Sequence, residues 1–155
     1  SKKKKAFGDK KVLIIDPVEP VLRNLQRVFE NWGAKVVTNQ KSADGLTHCL
    51  YGQFDLILLE RHMSFPDGIR ILNGLRWADV ETPVILMTSE SDGDNHLIES
   101  EFQNLICIMR KPISAPMLQE IIFRLGAPSI LTLKEKSKLN EILSIVEKQP
   151  IGLEV

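Results

Sequence analysis

The chain has 155 residues, enough for one well-buried domain rather than two, and its 43% hydrophobic and 26% charged content is ordinary for a globular protein. Basic and acidic residues each total 20, but six of the first eleven residues are lysines, so the part from Val12 onward holds 14 bases against 19 acids and argues against general nucleic-acid binding. No apolar run approaches the roughly 18 residues that span a bilayer, and the N-terminus lacks the apolar segment of a secretory signal, so a soluble, cytoplasmic protein with no membrane partner is expected.

Residues 1–10 read as a lysine-rich, solvated tail. Five short apolar runs then follow at near-regular spacing: KVLII (11–15), AKVVT (34–38), FDLILL (54–59), PVILMT (83–88) and LICIMR (105–110). Runs of this length, bounded by turn residues, are strands buried on both faces. Val18 to Trp32 places Val21, Leu22, Leu25, Val28, Phe29 and Trp32 at helical spacing, and Gly33 closes the segment. Further helices are expected over Ser42–Tyr51, Asp67–Trp77 and Ala115–Leu125. The interval SESDGDNHLIESEFQN (89–104) is the weakest of the helices, with an acidic, glycine-containing start. Trp32, Trp77 and Phe102 are expected to pack between helix and sheet. Cys49 and Cys107 lie in apolar runs without metal-ligand spacing and read as small buried hydrophobes.

Beyond Pro128, Thr132-x-x-Glu135 resembles a capping box, and Leu139, Ile142, Leu143 and Val146 form one apolar stripe. The segment 127–155 is therefore expected to carry an extra amphipathic helix that packs on the domain or pairs with a second copy. Strand–helix alternation over 11–126 implies an α/β fold: a doubly wound, five-stranded parallel sheet of order 2-1-3-4-5.

In such sheets functional groups gather where strands end at their carboxyl side. Those ends carry Asp16, Glu60, Thr88 and Lys111: an acid, an acid, a hydroxyl and an ammonium on one rim. No glycine-rich phosphate loop follows the first strand, since DPVEP contains no glycine. No Ser-His or Cys-His pair can be assigned to the rim either, which leaves covalent catalysis without support.

With this layout, the chain resembles the CheY-like receiver domain of two-component response regulators across residues 11–126. The resemblance rests on VLIID, DLILLERHMSFPDG, PVILMTSE and MRKPI, in that order. It implies a flavodoxin-like fold. It also implies that an Asp ending the third strand accepts a phosphoryl group from a histidine kinase, that paired acids after the first strand bind Mg²⁺, and that Thr88 and Lys111 stand where the family contacts phosphate.

Three positions depart from that pattern. Glu60 occupies the phosphoacceptor position, Pro17 follows Asp16 where a second acid is usual, and Ile108 replaces a frequent aromatic. A glutamate reaches about 1.5 Å further than an aspartate. In-line phosphoryl transfer loses on the order of 10²-fold for a misplacement of about 1 Å. With Pro17 supplying no ligand, Asp16 would hold Mg²⁺ weakly at best. The reading is a pseudo-receiver: a non-enzymatic phosphorelay signalling module, with Glu60 as a fixed charge, acting on a protein partner such as a histidine kinase or an output domain. Three alternatives stay open: a receiver that still accepts phosphate, a small α/β enzyme using the same rim, and Glu60 as a structural acid paired with Lys111. His62 reads as an exposed loop histidine, His48 and His96 receive no role, and Met63 and Phe65 are candidates for a contact surface. The resemblance further implies a signalling face built from the fourth helix, fifth strand and fifth helix, which the added helix would cover unless it forms a homodimer.

Overall fold

The computed structural model describes residues 7–90 and 93–125. The lysine run Lys2–Lys5 and the expected helix beyond Pro128 lie outside the described residues. Among the described residues five strands alternate with five helices: β1 (Lys11–Ile15), α1 (Glu19–Asn31), β2 (Lys35–Asn39), α2 (Ser42–Tyr51), β3 (Leu56–Glu60), α3 (Gly68–Trp77), β4 (Val84–Thr88), α4 (Asn95–Glu101), β5 (Leu105–Arg110) and α5 (Ala115–Leu125). All strand pairs are parallel and the order is β2-β1-β3-β4-β5, the expected doubly wound sheet.

The strand period of two divides the apolar side chains into two cores. Val12, Ile14, Leu56, Leu58, Ile85 and Met87 face α1 and α5, while Leu13, Ile15, Ile57, Leu59, Val84 and Leu86 face α2, α3 and α4. The central strands β3 and β4 are buried at every position, which explains their unbroken apolar runs. Between β4 and β5 the register shifts at Val84/Ile85, so Ile106 and Cys107 both fall on the α1/α5 side. Burial also pushes the Cys49 thiol up to about 12, which keeps it protonated and unreactive.

Two aromatic residues depart from expectation. Trp77 is 87% exposed. The buried stripe of α3 is Gly68, Ile71, Leu72 and Leu75, and Trp77 lies about 200° around the helix from Leu75. Phe7, inside the expected tail, is instead buried against Phe29 and Trp32, and Trp32 in turn meets Phe123 of α5. The packed domain therefore begins before β1. Trp32 and Phe102 are buried as expected.

Gly68 opens α3 directly under the end of β3. Its N–H donates to the Arg61 carbonyl at 2.8 Å, and a Cβ there would stand 2.6 Å from the Glu60 carbonyl oxygen and 2.7 Å from Arg61 Cα. Both obstacles are backbone, which cannot rotate away. Gly74, one turn and a half further along, would put its Cβ only 3.5 Å from Leu46 Cδ1, an ordinary contact. Gly68→Ala is expected to cost about 1–3 kcal/mol through overpacking. Gly74→Ala should be neutral or stabilise by roughly 0.5–1 kcal/mol. Urea midpoints at unchanged m values measure both.

Candidate functional site

Each rim residue is delivered by the strand before it. Asp16 follows β1, with its N–H donating to the Asn39 carbonyl at 3.1 Å, and Glu60 and Thr88 are the last residues of β3 and β4. Lys111 follows β5, and its N–H hooks onto the Thr88 carbonyl at 2.7 Å. The Lys111–Pro112 bond is cis. Side chains from β1, β3 and β5 then meet at one point: Lys111 Nζ lies 2.5 Å from Asp16 Oδ2 and 2.6 Å from Glu60 Oε1.

This cluster is dry. The side chains of Asp16, Glu60 and Lys111 are 0%, 5% and 15% exposed. Buried carboxylates need hydrogen-bonding or charged partners to offset their lost hydration. The second oxygens find them in the backbone: Asp16 Oδ1 accepts the Val18 N–H and Glu60 Oε2 accepts the His62 N–H, both at 2.8 Å. Burial by itself would lower the Lys111 pKa, but the hydrogen bonds and charges of Asp16 and Glu60 outweigh it and hold the ammonium above its ordinary value. Thr88 is buried on the same rim, and its hydroxyl accepts the Glu90 N–H at 3.1 Å.

The neighbouring positions decide how a divalent cation would fare. Pro17 is exposed and brings no side-chain donor; its carbonyl accepts from Gln40 Nε2 at 3.2 Å. Glu19, the nearest further acid in sequence, is exposed and reaches Arg23 at 3.5 Å. Among the described residues no group of three or more His, Cys, Asp or Glu side chains is arranged to hold a metal ion. The two carboxylates present, Asp16 and Glu60, both contact the Lys111 ammonium, with which a divalent cation would have to compete.

Beside the cluster, Arg61 and Asp94 form a pair that the sequence did not single out. Arg61, next after Glu60, makes two parallel contacts of 3.0 Å to Asp94 at the start of α4, and its guanidinium holds the Asp94 carboxyl below its ordinary value. His62 is exposed, with Nε2 3.6 Å from Glu90 Oε2. His48, given no role, bonds Asn39 Oδ1 through Nδ1 at 2.7 Å and meets Phe54 edge-on. Met63 is half-buried beside the α2/α3 core, whereas Phe65 is 79% exposed under the Arg70 guanidinium. Ile108 is buried, and its N–H donates to Glu99 Oε1 at 3.3 Å. Among the described residues, no helix is long and apolar enough to cross a membrane.

Comparison with known proteins places this geometry in context. Residues 12–123 match the model of the response regulator receiver domain. The transcriptional regulatory protein PcoR of Escherichia coli is 33% identical over 84 residues, covering 53% of this chain and 36% of that protein. The uncharacterized transcriptional regulatory protein YkoG of Bacillus subtilis is 33% identical over 78 residues, covering 50% of this chain and 34% of that protein. The chain thus spans about a third of the length of these regulators. Among solved structures, a response regulator receiver domain protein from Clostridium thermocellum is 26% identical with a TM-score of 0.66, covering 74% of this chain and 92% of that one. The Francisella response regulator 1452 receiver domain shares the fold, with a TM-score of 0.69 at 23% identity, over 76% of this chain and 97% of that one.

Removing the ammonium is expected to be severe. Lys111→Met leaves two buried carboxylates side by side without a cation, a loss of roughly 3–5 kcal/mol. The pH dependence has a definite sign. A lysine whose folded pKa is raised contributes stability that is fully present below its unfolded value, about 10.4, and lost as pH rises through the higher folded value. Urea midpoints of the native chain should therefore fall on alkaline titration above that value, and Lys111→Met should lack this component.

Proposed function

The chain belongs to the response regulator receiver domain family, and on that premise we propose that it is a pseudo-receiver: a module of a two-component phosphorelay that signals through protein contacts, with Glu60 as a permanent charge at the phosphoacceptor position. The observation that carries this reading is that both Glu60 oxygens are engaged, one by the Lys111 ammonium and one by the His62 N–H. An acceptor for in-line transfer must present an oxygen lone pair to the incoming phosphorus, in position, with a metal to neutralise the charge that develops. Here the carboxylate is longer than aspartate, doubly held, and shared with an ammonium that would compete with a weakly held Mg²⁺.

The same contacts support a constitutive role. In this reading Lys111 and Thr88 stand at the phosphate-contact positions, with the ammonium on Glu60 and the Thr88 hydroxyl on the Glu90 backbone. A carboxylate offers two oxygens and one charge, where a phosphoryl group offers three oxygens and about two charges, so the mimicry is partial. The proposed partner is a protein surface, of a histidine kinase or an output domain, in the cytoplasm. Neither catalysis nor nucleic-acid binding is assigned to this domain.

Incubation with acetyl phosphate and Mg²⁺ followed by intact-mass measurement tests the reading. The native chain should stay unmodified, and its tryptophan fluorescence should show no saturation at sub-millimolar Mg²⁺. The Pro17→Asp, Glu60→Asp double variant should gain both metal affinity and a phosphoryl adduct. An adduct on the native chain would instead establish a working, altered receiver.

A further inference from the structure

The polar ties around α4 have a pattern that the pocket chemistry does not require. This helix has seven residues, of which Ile98 is its buried anchor, followed by buried Phe102. Asp94 occupies its N-cap position but makes no capping bond with its side chain. A capping aspartate ordinarily turns its carboxylate onto the first helical N–H groups. Asp94 gives both oxygens to Arg61 instead, Nη1 to Oδ1 and Nη2 to Oδ2 at 3.0 Å each, and Arg61 Nη1 reaches Asn95 Oδ1 at 3.5 Å. The Arg61 side chain is 13% exposed, so its stem is packed while the fork emerges on Asp94, which is 48% exposed.

Arg61 is covalently joined to Glu60, and its N–H donates to the Met87 carbonyl of β4 at 2.8 Å. Its backbone is thereby fixed to the sheet at the charged cluster, and only its side chain crosses to the β4–α4 connection. At the far end, α4 meets the sheet through Glu99, whose Oε1 accepts the Ile108 N–H, and meets α3 through Arg76, which lies 3.4 Å from Glu101. A short helix with little apolar burial and ionic ties at both ends is drawn from the low-stability end of a fold.

From this juxtaposition we infer that the Arg61–Asp94 pair is a strap that fixes the start of α4 to the strand carrying Glu60, and that α4 takes up a second, loosened state when the pair opens. The strap supplies by a side-chain fork the link between pocket and helix. It is independent of whether Glu60 accepts phosphate, because neither Arg61 nor Asp94 contributes an oxygen or a cation to the Glu60–Lys111 contact. Its half-exposed carboxylate makes it sensitive to salt, unlike the buried cluster behind it.

Amide hydrogen exchange on the full chain tests this. The reporters are Leu97 and Ile98, whose N–H groups donate to the Asp94 carbonyl, and Phe102, whose N–H donates to Ile98. Arg61→Met and Asp94→Asn should each speed exchange at these sites by roughly three- to tenfold, with β1 and β3 unchanged. Arg61→Lys, which keeps charge but loses the fork, should fall between, and so guards against a folding defect in the larger change. The charge-swapped double variant, Arg61→Asp with Asp94→Arg, should recover protection. Unchanged exchange at the reporters in both single variants would overturn the strap, as would an equal loss across β1 and β3. Neither result would bear on the mass measurement that tests phosphate acceptance.

Discussion

A single ammonium shared by two buried carboxylates governs the carboxyl edge of this sheet. Asp16, Glu60 and Lys111 come from the ends of three different strands, and none of them can be left alone in a dry site. One positive charge against two negative ones does not close the account electrostatically. The remaining oxygens must therefore find donors, and they find them in their own chains. Asp16 takes the N–H two residues on, at Val18, and Glu60 takes the N–H two residues on, at His62. Two loops of unrelated sequence are bent by the same device, a carboxylate folding back on its own backbone. The Lys111 backbone is held in turn by the Thr88 carbonyl, which brings β4 into the arrangement.

This arrangement accommodates a glutamate at the end of β3. Its carboxylate meets Lys111 with one oxygen and the His62 N–H with the other. Gly68 supports the same geometry from below, since its missing side chain lets α3 start against the Glu60 and Arg61 backbone. A residue at the end of β3, a glycine eight positions later and a lysine at the end of β5 thus form one steric and electrostatic unit. Substitution at any of them would be felt by the other two.

Much of this was legible in the residues. Strand and helix periods specify the five units, and the rule that functional groups collect at carboxyl strand ends places Asp16, Glu60, Thr88 and Lys111 on one rim. The omissions have physical causes. Trp77 looks like a packing residue by type, but its angle about α3 from Leu75 places it in solvent. Phe7 stands among lysines, and a single aromatic in a charged run carries no periodicity, so its burial against Phe29 and Trp32 was invisible. Arg61 and Asp94 lie 33 positions apart in two loops, where no repeat relates one side chain to another.

The two ionic centres differ in the property that decides their response to surroundings. In the inner cluster the ammonium is 15% exposed and the carboxylates less; in the outer pair the carboxylate is 48% exposed. Coulomb attraction between unit charges about 4 Å apart is roughly fourfold weaker in bulk water than near a protein surface, and mobile ions reduce it further. The inner cluster therefore behaves as a fixed part of the fold, broken only when one of its members is neutralised or removed. The outer pair works against side-chain entropy and solvent, and holds a helix that has little apolar burial to fall back on. A rigid charged centre with a compliant contact at its margin confines adjustable structure to the side of the pocket where α4 begins. A partner that engages α4 would meet a surface that yields, while the sheet beneath it stays as the buried charges set it.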